Sequence, residues 1–202
     1  FIDRLPKSPN FVFRHKNYQE FFSAKYLSKL SVEEIISIIK ISNNINKIKP
    51  SLFNTITFLL NIIDKNKLQK LQKWIYENEP EILFLAEKER INDTELQKNI
   101  FKKYFEEIAI EKTFWIGKNA RFSLENISKF ADVDFLIGII KNKNYQFRAE
   151  TSAYTILSYA DLDDKKLEVK KLLEEKLFSG EEEKRFIDEI LRVIKHQKFH
   201  IE

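Results

Sequence analysis

Only three glycines and four prolines occur in 202 residues. That scarcity constrains the fold more than any other feature of the chain. A sheet protein must reverse direction every few residues, and tight reversals draw on glycine, asparagine and proline. A chain this poor in glycine and proline is expected to run in long helices joined by short polar corners. Hydrophobic residues at 43% and charged ones at 33% supply enough apolar surface for a buried core and exclude a disordered chain. Cysteine is absent, which excludes a disulfide framework and thiolate metal sites and suits a reducing, cytoplasmic setting. Methionine is absent too, at position 1 as elsewhere, so we expect a piece of a longer polypeptide.

The apolar periodicity divides the chain into elements. Residues 1–10 carry Pro6 and Pro9 and should be extended or turned. Phe11, Phe13 and His15 alternate with Val12 and Arg14, which allows one short strand around residues 11–14. From Asn17 the period becomes helical, with Tyr18, Phe21, Phe22, Tyr26 and Leu30 on an aromatic face expected to lie in the core. Ser31 with Glu34 three residues on makes a capping box, predicting a helix to about Ile41. Pro50 is placed to open a helix striped by Leu52, Ile56, Leu59, Leu60 and Ile63. Asp64 or Asn66 should cap the next, with Leu68, Leu71, Trp74 and Ile75 on one face. Pro80 starts a short helix through Leu85, and Asp93 precedes a long one carrying Leu96, Ile100, Tyr104 and Ile108. No apolar run approaches the length of a membrane span; the cluster at residues 56–63 is broken by Thr57 and Asn61.

The second half contains an internal echo. Phe130-Ala131-Asp132-Val133-Asp134 is matched, 29 residues on, by Tyr159-Ala160-Asp161-Leu162-Asp163. Each copy should close one helix and lead into another, at residues 135–141 and 167–178. A repeated helix–corner–helix unit is the mark of an α-solenoid, and this offset is shorter than the roughly 40 residues of a standard HEAT unit. The expected fold is therefore all-α, an irregular HEAT-like helical solenoid. We divide it at residues 1–45 and 46–202.

Candidate chemistry is sparse. Asp161, Asp163 and Asp164 begin like a calcium loop, but the places that need glycine and glutamate hold Lys166 and Leu172, so these acids read as helix caps. Gly117-Lys118 is not a P-loop, since Lys112 and Asn119 occupy the flanking glycine and hydroxyl positions. His196 and His200 are spaced i, i+4, which could share a metal, but a zinc site wants a third ligand. No metal site and no catalytic residue is assigned. Charge is uneven: residues 1–80 hold 13 basic residues against seven acids, a net of +6 within an overall +4. Lys47, Lys49, Lys65, Lys67, Lys70 and Lys73 could meet phosphate, although lysines more often simply solvate helix faces.

One stretch is more specific. Phe11, Phe13, His15, Tyr18, Gln19, Glu20, Phe21, Phe22, Ala24, Tyr26 and Leu27 follow one another in an order that resembles the segment closing the nucleotide-binding module of NACHT-type STAND ATPases, with Ser23 at a small-residue position. The resemblance covers about the first 30 residues. It implies that residues 1–45 are a winged-helix remnant with linking helices, followed by a HEAT-like sensor region. It implies that His15 reaches the β-phosphate of bound ADP in the intact parent, where an imidazole N–H can donate to a phosphate oxygen. ATP or ADP and magnesium would belong to the parent and none to this chain, which would not itself be an enzyme. Gln19 and Glu20 would be structural residues of the helix. The expected partner is a protein trigger, in bacterial defence, with possible homo-oligomerisation of the parent. The alternative from the residues alone is a freestanding HEAT-like nucleic-acid-binding or scaffold protein.

Overall fold

The computed structural model describes residues 2–4, 11–13, 15–119, 122–142, 144–178 and 184–200. The expectations placed on residues 5–10 and on Arg14 lie outside these. The chain divides into two compact units, Phe1–Asn92 and Asp93–Glu202. The all-α expectation is met: the described residues are mostly helical, with a few short strands.

In the first unit, β1 (Ile2–Arg4) pairs antiparallel with β2 (Phe11–Phe13), Asp3 opposite Val12. Helix α1 (Lys16–Leu27) follows and packs against α3 (Phe53–Ile62). Helix α2 (Val32–Ile39) begins at the expected capping box: Ser31 Oγ accepts from the Glu34 amide at 3.2 Å, and Glu34 Oε2 accepts from the Ser31 amide at 2.9 Å. The helix stops earlier than the periodicity implied. Lys40–Ser42 and Ile45–Ile48 form a hairpin, β3 and β4, turning at Asn43-Asn44. Two asparagines tolerate the turn that glycine would normally make, and β-branched isoleucines suit the flanking strands. Pro50 opens a single 3₁₀ turn ahead of α3, and Asp64 caps α4 (Lys65–Asn78) by accepting from the Asn66 amide at 2.9 Å. Pro80–Leu85 is a 3₁₀ helix that buries Ile82, Leu83 and Phe84 against α4. The hairpin sits on both sides of position 46, and its Ile48 amide donates to the buried Glu79 carboxylate at 2.9 Å.

The helix ends of this unit show how a glycine-poor chain closes its helices. Lys67 Nζ donates to the carbonyls of Ser28 and Leu30 just past α1, at 3.1 and 2.9 Å. Lys49 Nζ reaches the Ile38 carbonyl at 2.7 Å. Arg90 donates to Leu60 and Ile63 at the end of α3. Each cation satisfies carbonyls that have no partner within the helix and lies at the negative end of its dipole.

In the second unit, Asp93 caps α5 (Thr94–Phe105), which widens into a π-helical turn at Glu106–Glu111. Short helices α6 (Ile116–Asn119) and α7 (Leu124–Ser128) lead to α8 (Val133–Lys141), α9 (Phe147–Leu157), α10 (Lys166–Phe178) and α11 (Lys184–Gln197). Both copies of the echo lie where the helices change. Asp132 accepts from the Phe135 amide at 3.1 Å and caps α8, whereas Asp161 makes a local turn with the Asp163 amide at 3.3 Å. The irregularity has a physical form: α9 lies among α6, α7, α8 and α11 and buries residues on every face. Its Thr151, Ser152, Thr155 and Ser158 hydroxyls each donate to the carbonyl four residues back, at 2.7 to 3.1 Å. Hydroxyls satisfied inside their own helix can be buried without an unpaired donor. Gln197 closes α9 as the lysines close α1 and α2, its Nε2 donating to Leu157, Ser158 and Ala160 at 2.8, 3.3 and 2.9 Å.

Candidate functional site

The conspicuous surface of the first unit is built on α1. Its buried positions are Glu20, Ala24 and Leu27, spaced by four and three, and these face α3. This corrects the expectation that its aromatics form core. Phe22 is 44% exposed and Tyr26 62% exposed. The reason lies in the choice of face: small Ala24 lets α1 approach α3 closely, and Asn54 neutralises the polarity of Glu20 by donating to both carboxylate oxygens at 3.2 and 3.3 Å. Lys16 stands 3.5 Å from the same carboxylate. The expectation that Glu20 is a structural helix residue is consistent with these bonds.

Phe22 and Tyr26 thereby wall an apolar groove of about 430 Å³. Phe13, Gln19, Ser23, Leu27, Ile38, Leu52 and Thr55 complete its lining. The Phe13 ring stacks on Phe22 at 5.8 Å, and Phe21 packs edge-on against Phe58 at 5.7 Å, so the groove wall is anchored from beneath. Nothing in the periodicity distinguished this surface from core, because an aromatic stripe looks the same in either role.

His15 sits at the N-cap of α1 with extended backbone (φ −132°, ψ 139°). Its ring is exposed, 5.9 Å from the Tyr18 ring, and makes no hydrogen bond among the described residues. A histidine in a purely structural role would be partly buried and bonded to a backbone carbonyl, and this ring is exposed. Its carbonyl accepts from the Tyr18 amide at 3.1 Å and starts the helix.

The other candidates separate. Gly117 belongs to packing: a Cβ there would lie 2.8 Å from Trp115 Nε1 and 2.9 Å from Thr155 Cγ2. Trp115 Nε1 itself donates to Thr155 Oγ1 at 3.0 Å. His196 lies against the Tyr159 ring at 5.0 Å, and both it and His200 are exposed. Among the described residues no group of three or more His, Cys, Asp or Glu is placed to hold a metal ion. Of the six lysines that could form a basic patch, Lys49 and Lys67 are committed to backbone carbonyls, while Lys47, Lys65, Lys70 and Lys73 are exposed. Among the described residues no helix is long and apolar enough to cross a membrane.

The best-tied carboxylate of the second unit is Asp132. Burial pushes it up, but the Lys102 ammonium at 3.0 Å, the Phe135 amide and the charges of Lys102 and Lys98 outweigh that, and it lies below the ordinary carboxylate value. Its role is to hold a helix corner. Comparison of the chain with known protein families, with curated proteins and with solved structures returned no match.

Proposed function

We propose that this chain is the helical sensor and regulatory arm that follows the nucleotide-binding module of a NACHT-type STAND ATPase. The observation that favours this reading is the state of His15. An exposed imidazole with no hydrogen bond among the described residues opens the one helix whose residues carry the resemblance. Glu20, a little over one turn on, ties that helix to α3 through Asn54. A phosphate held by His15 would therefore bear on a helix docked to the rest of the first unit. In the parent, the β-phosphate of ADP would accept from His15 in the resting state, and a protein trigger bound to the helical arm would release it. ATP or ADP, magnesium and hydrolysis belong to the upstream module in this reading, the setting is cytoplasmic, and the parent could assemble as a homo-oligomer in bacterial defence. A freestanding nucleic-acid binder is the alternative reading, in which Lys49 and Lys67 would serve phosphate as well as the helix-end carbonyls they already bond.

The test is ADP binding to the protein carrying its upstream reading frame, with and without His15→Ala. A hydrogen bond to a charged group contributes about 1.5–3 kcal/mol, so ADP affinity should fall roughly 10- to 150-fold. Unchanged affinity, or an upstream frame without a Walker A loop, overturns the proposal. Retention on heparin at about 150 mM salt would favour the nucleic-acid reading instead.

A further inference from the structure

We infer that the groove between α1 and the Ile38 end of α2 is a docking site for an amphipathic helix with acidic flanks, carried by a partner protein. From α1 the groove is walled by Gln19, Phe22, Ser23 and Tyr26, spaced by three, one and three, with buried Leu27 beside them. Those residues form one stripe about two turns long, the shape that receives the apolar anchors of a helix laid in a groove. A volume of about 430 Å³ accommodates large apolar side chains, and the lining offers them chiefly carbon.

The charges around the stripe select the partner. On α1 and its closing corner the exposed charged residues are Lys16, Lys25 and Lys29, because the single acid, Glu20, is buried against Asn54. At the opposite wall the Lys49 ammonium lies 2.7 Å from the carbonyl of Ile38, itself a lining residue. Helix α3 and the 3₁₀ turn before it, which supply Leu52 and Thr55, contain no charged residue. The nearest acid along α2, Glu34, is folded back onto the Ser31 amide at 2.9 Å. An apolar floor between cationic margins attracts a helix with carboxylates beside its apolar face and repels one with lysines there. This inference stands apart from the nucleotide switch: loss of ADP binding would leave the groove as it is, and an unused groove would leave His15 as it is.

The probes are two fluorescent helical peptides with the same leucine face, one flanked by glutamates and one by lysines. Fluorescence anisotropy should show the glutamate peptide binding at least about threefold more tightly, the low end for three exposed ion pairs. That preference should shrink between about 50 and 300 mM salt. Tyr26→Ser and Ile38→Asn should weaken the glutamate peptide, and Lys25→Glu with Lys29→Glu should reverse the preference. The four substituted side chains are exposed, and circular dichroism checks that each variant is folded. Equal binding of the two peptides overturns the proposal, as does binding indifferent to Tyr26→Ser and Ile38→Asn. Sedimentation showing that the same substitutions break a self-association assigns the groove to a second copy and overturns it too.

Discussion

Asn54 donates its side-chain amide to both oxygens of Glu20, at 3.2 and 3.3 Å, and so joins α3 to α1 through a carboxylate that is 5% exposed. Among the described residues, removing the amide leaves that carboxylate the mostly exposed Lys16 as its polar partner. Asn54→Leu is expected to cost about 1–3 kcal/mol, the range for a buried polar group left unsatisfied. Glu20→Gln, which keeps a hydrogen-bonding carbonyl, should cost less. Urea unfolding of both variants checks the order.

His15→Ala and Phe21→Ala separate a surface role from a packing role. His15 is exposed and, among the described residues, its ring contact is to Tyr18, so its loss should change stability by no more than about 0.5 kcal/mol. Phe21 packs against Phe58 and Phe22, and truncation should cost several-fold more, up to about 3 kcal/mol for this half-buried ring. Equal destabilisation in thermal melts would make His15 a structural residue.

Two glycines give opposite expectations. Gly117→Ala drives a methyl into Trp115 and Thr155 and should destabilise by about 1–3 kcal/mol. Gly138 lies within α8 with open space around its missing Cβ, so Gly138→Ala should stabilise by about 0.5–1 kcal/mol. Calorimetric melts of the pair read the two signs directly.

Asp132 sets a pH dependence. Its carboxyl titrates below its unfolded value, so the stability it contributes is present above about pH 3.9 and is lost as pH falls through the lower folded value. Lys102→Met removes the strongest opposing partner and should flatten the acid limb of the stability curve. Guanidinium midpoints between pH 3 and 6 check it.

Much of this architecture could be read from single residues. Ser31 and Asp93 cap the helices they precede, and of the pair Asp64 and Asn66 it is Asp64 that caps α4, whereas Asp161, read as a cap, makes a local turn with the Asp163 amide. Local signals of this kind survive because a cap is made within three residues of itself. What was not legible depends on distant partners. The Lys40–Ile48 hairpin needs Glu79 to receive its Ile48 amide, and no periodicity reports that. The exposure of Tyr26 is decided by which face of α1 meets α3, a choice made by Ala24 and by an asparagine 34 residues from Glu20. Glycine's scarcity forecast helices correctly, but not its corollary that Thr113, Asp163 and Lys198 would adopt left-handed backbone, at φ 53°, 43° and 53°.

The clamp that Gln197 places on the end of α9 has a consequence for biosynthesis. The carbonyls it covers belong to Leu157, Ser158 and Ala160, 37 to 40 residues earlier. A ribosome makes about 5–20 residues per second, so α9 spends seconds complete but unsealed while its lid is still being translated. During that interval its last turn has only water to bond. A nascent chain released early, short of residue 197, would leave that end open for good, a ready handle for quality-control proteases. A helix made well after α9 is thus the stopper that finishes it.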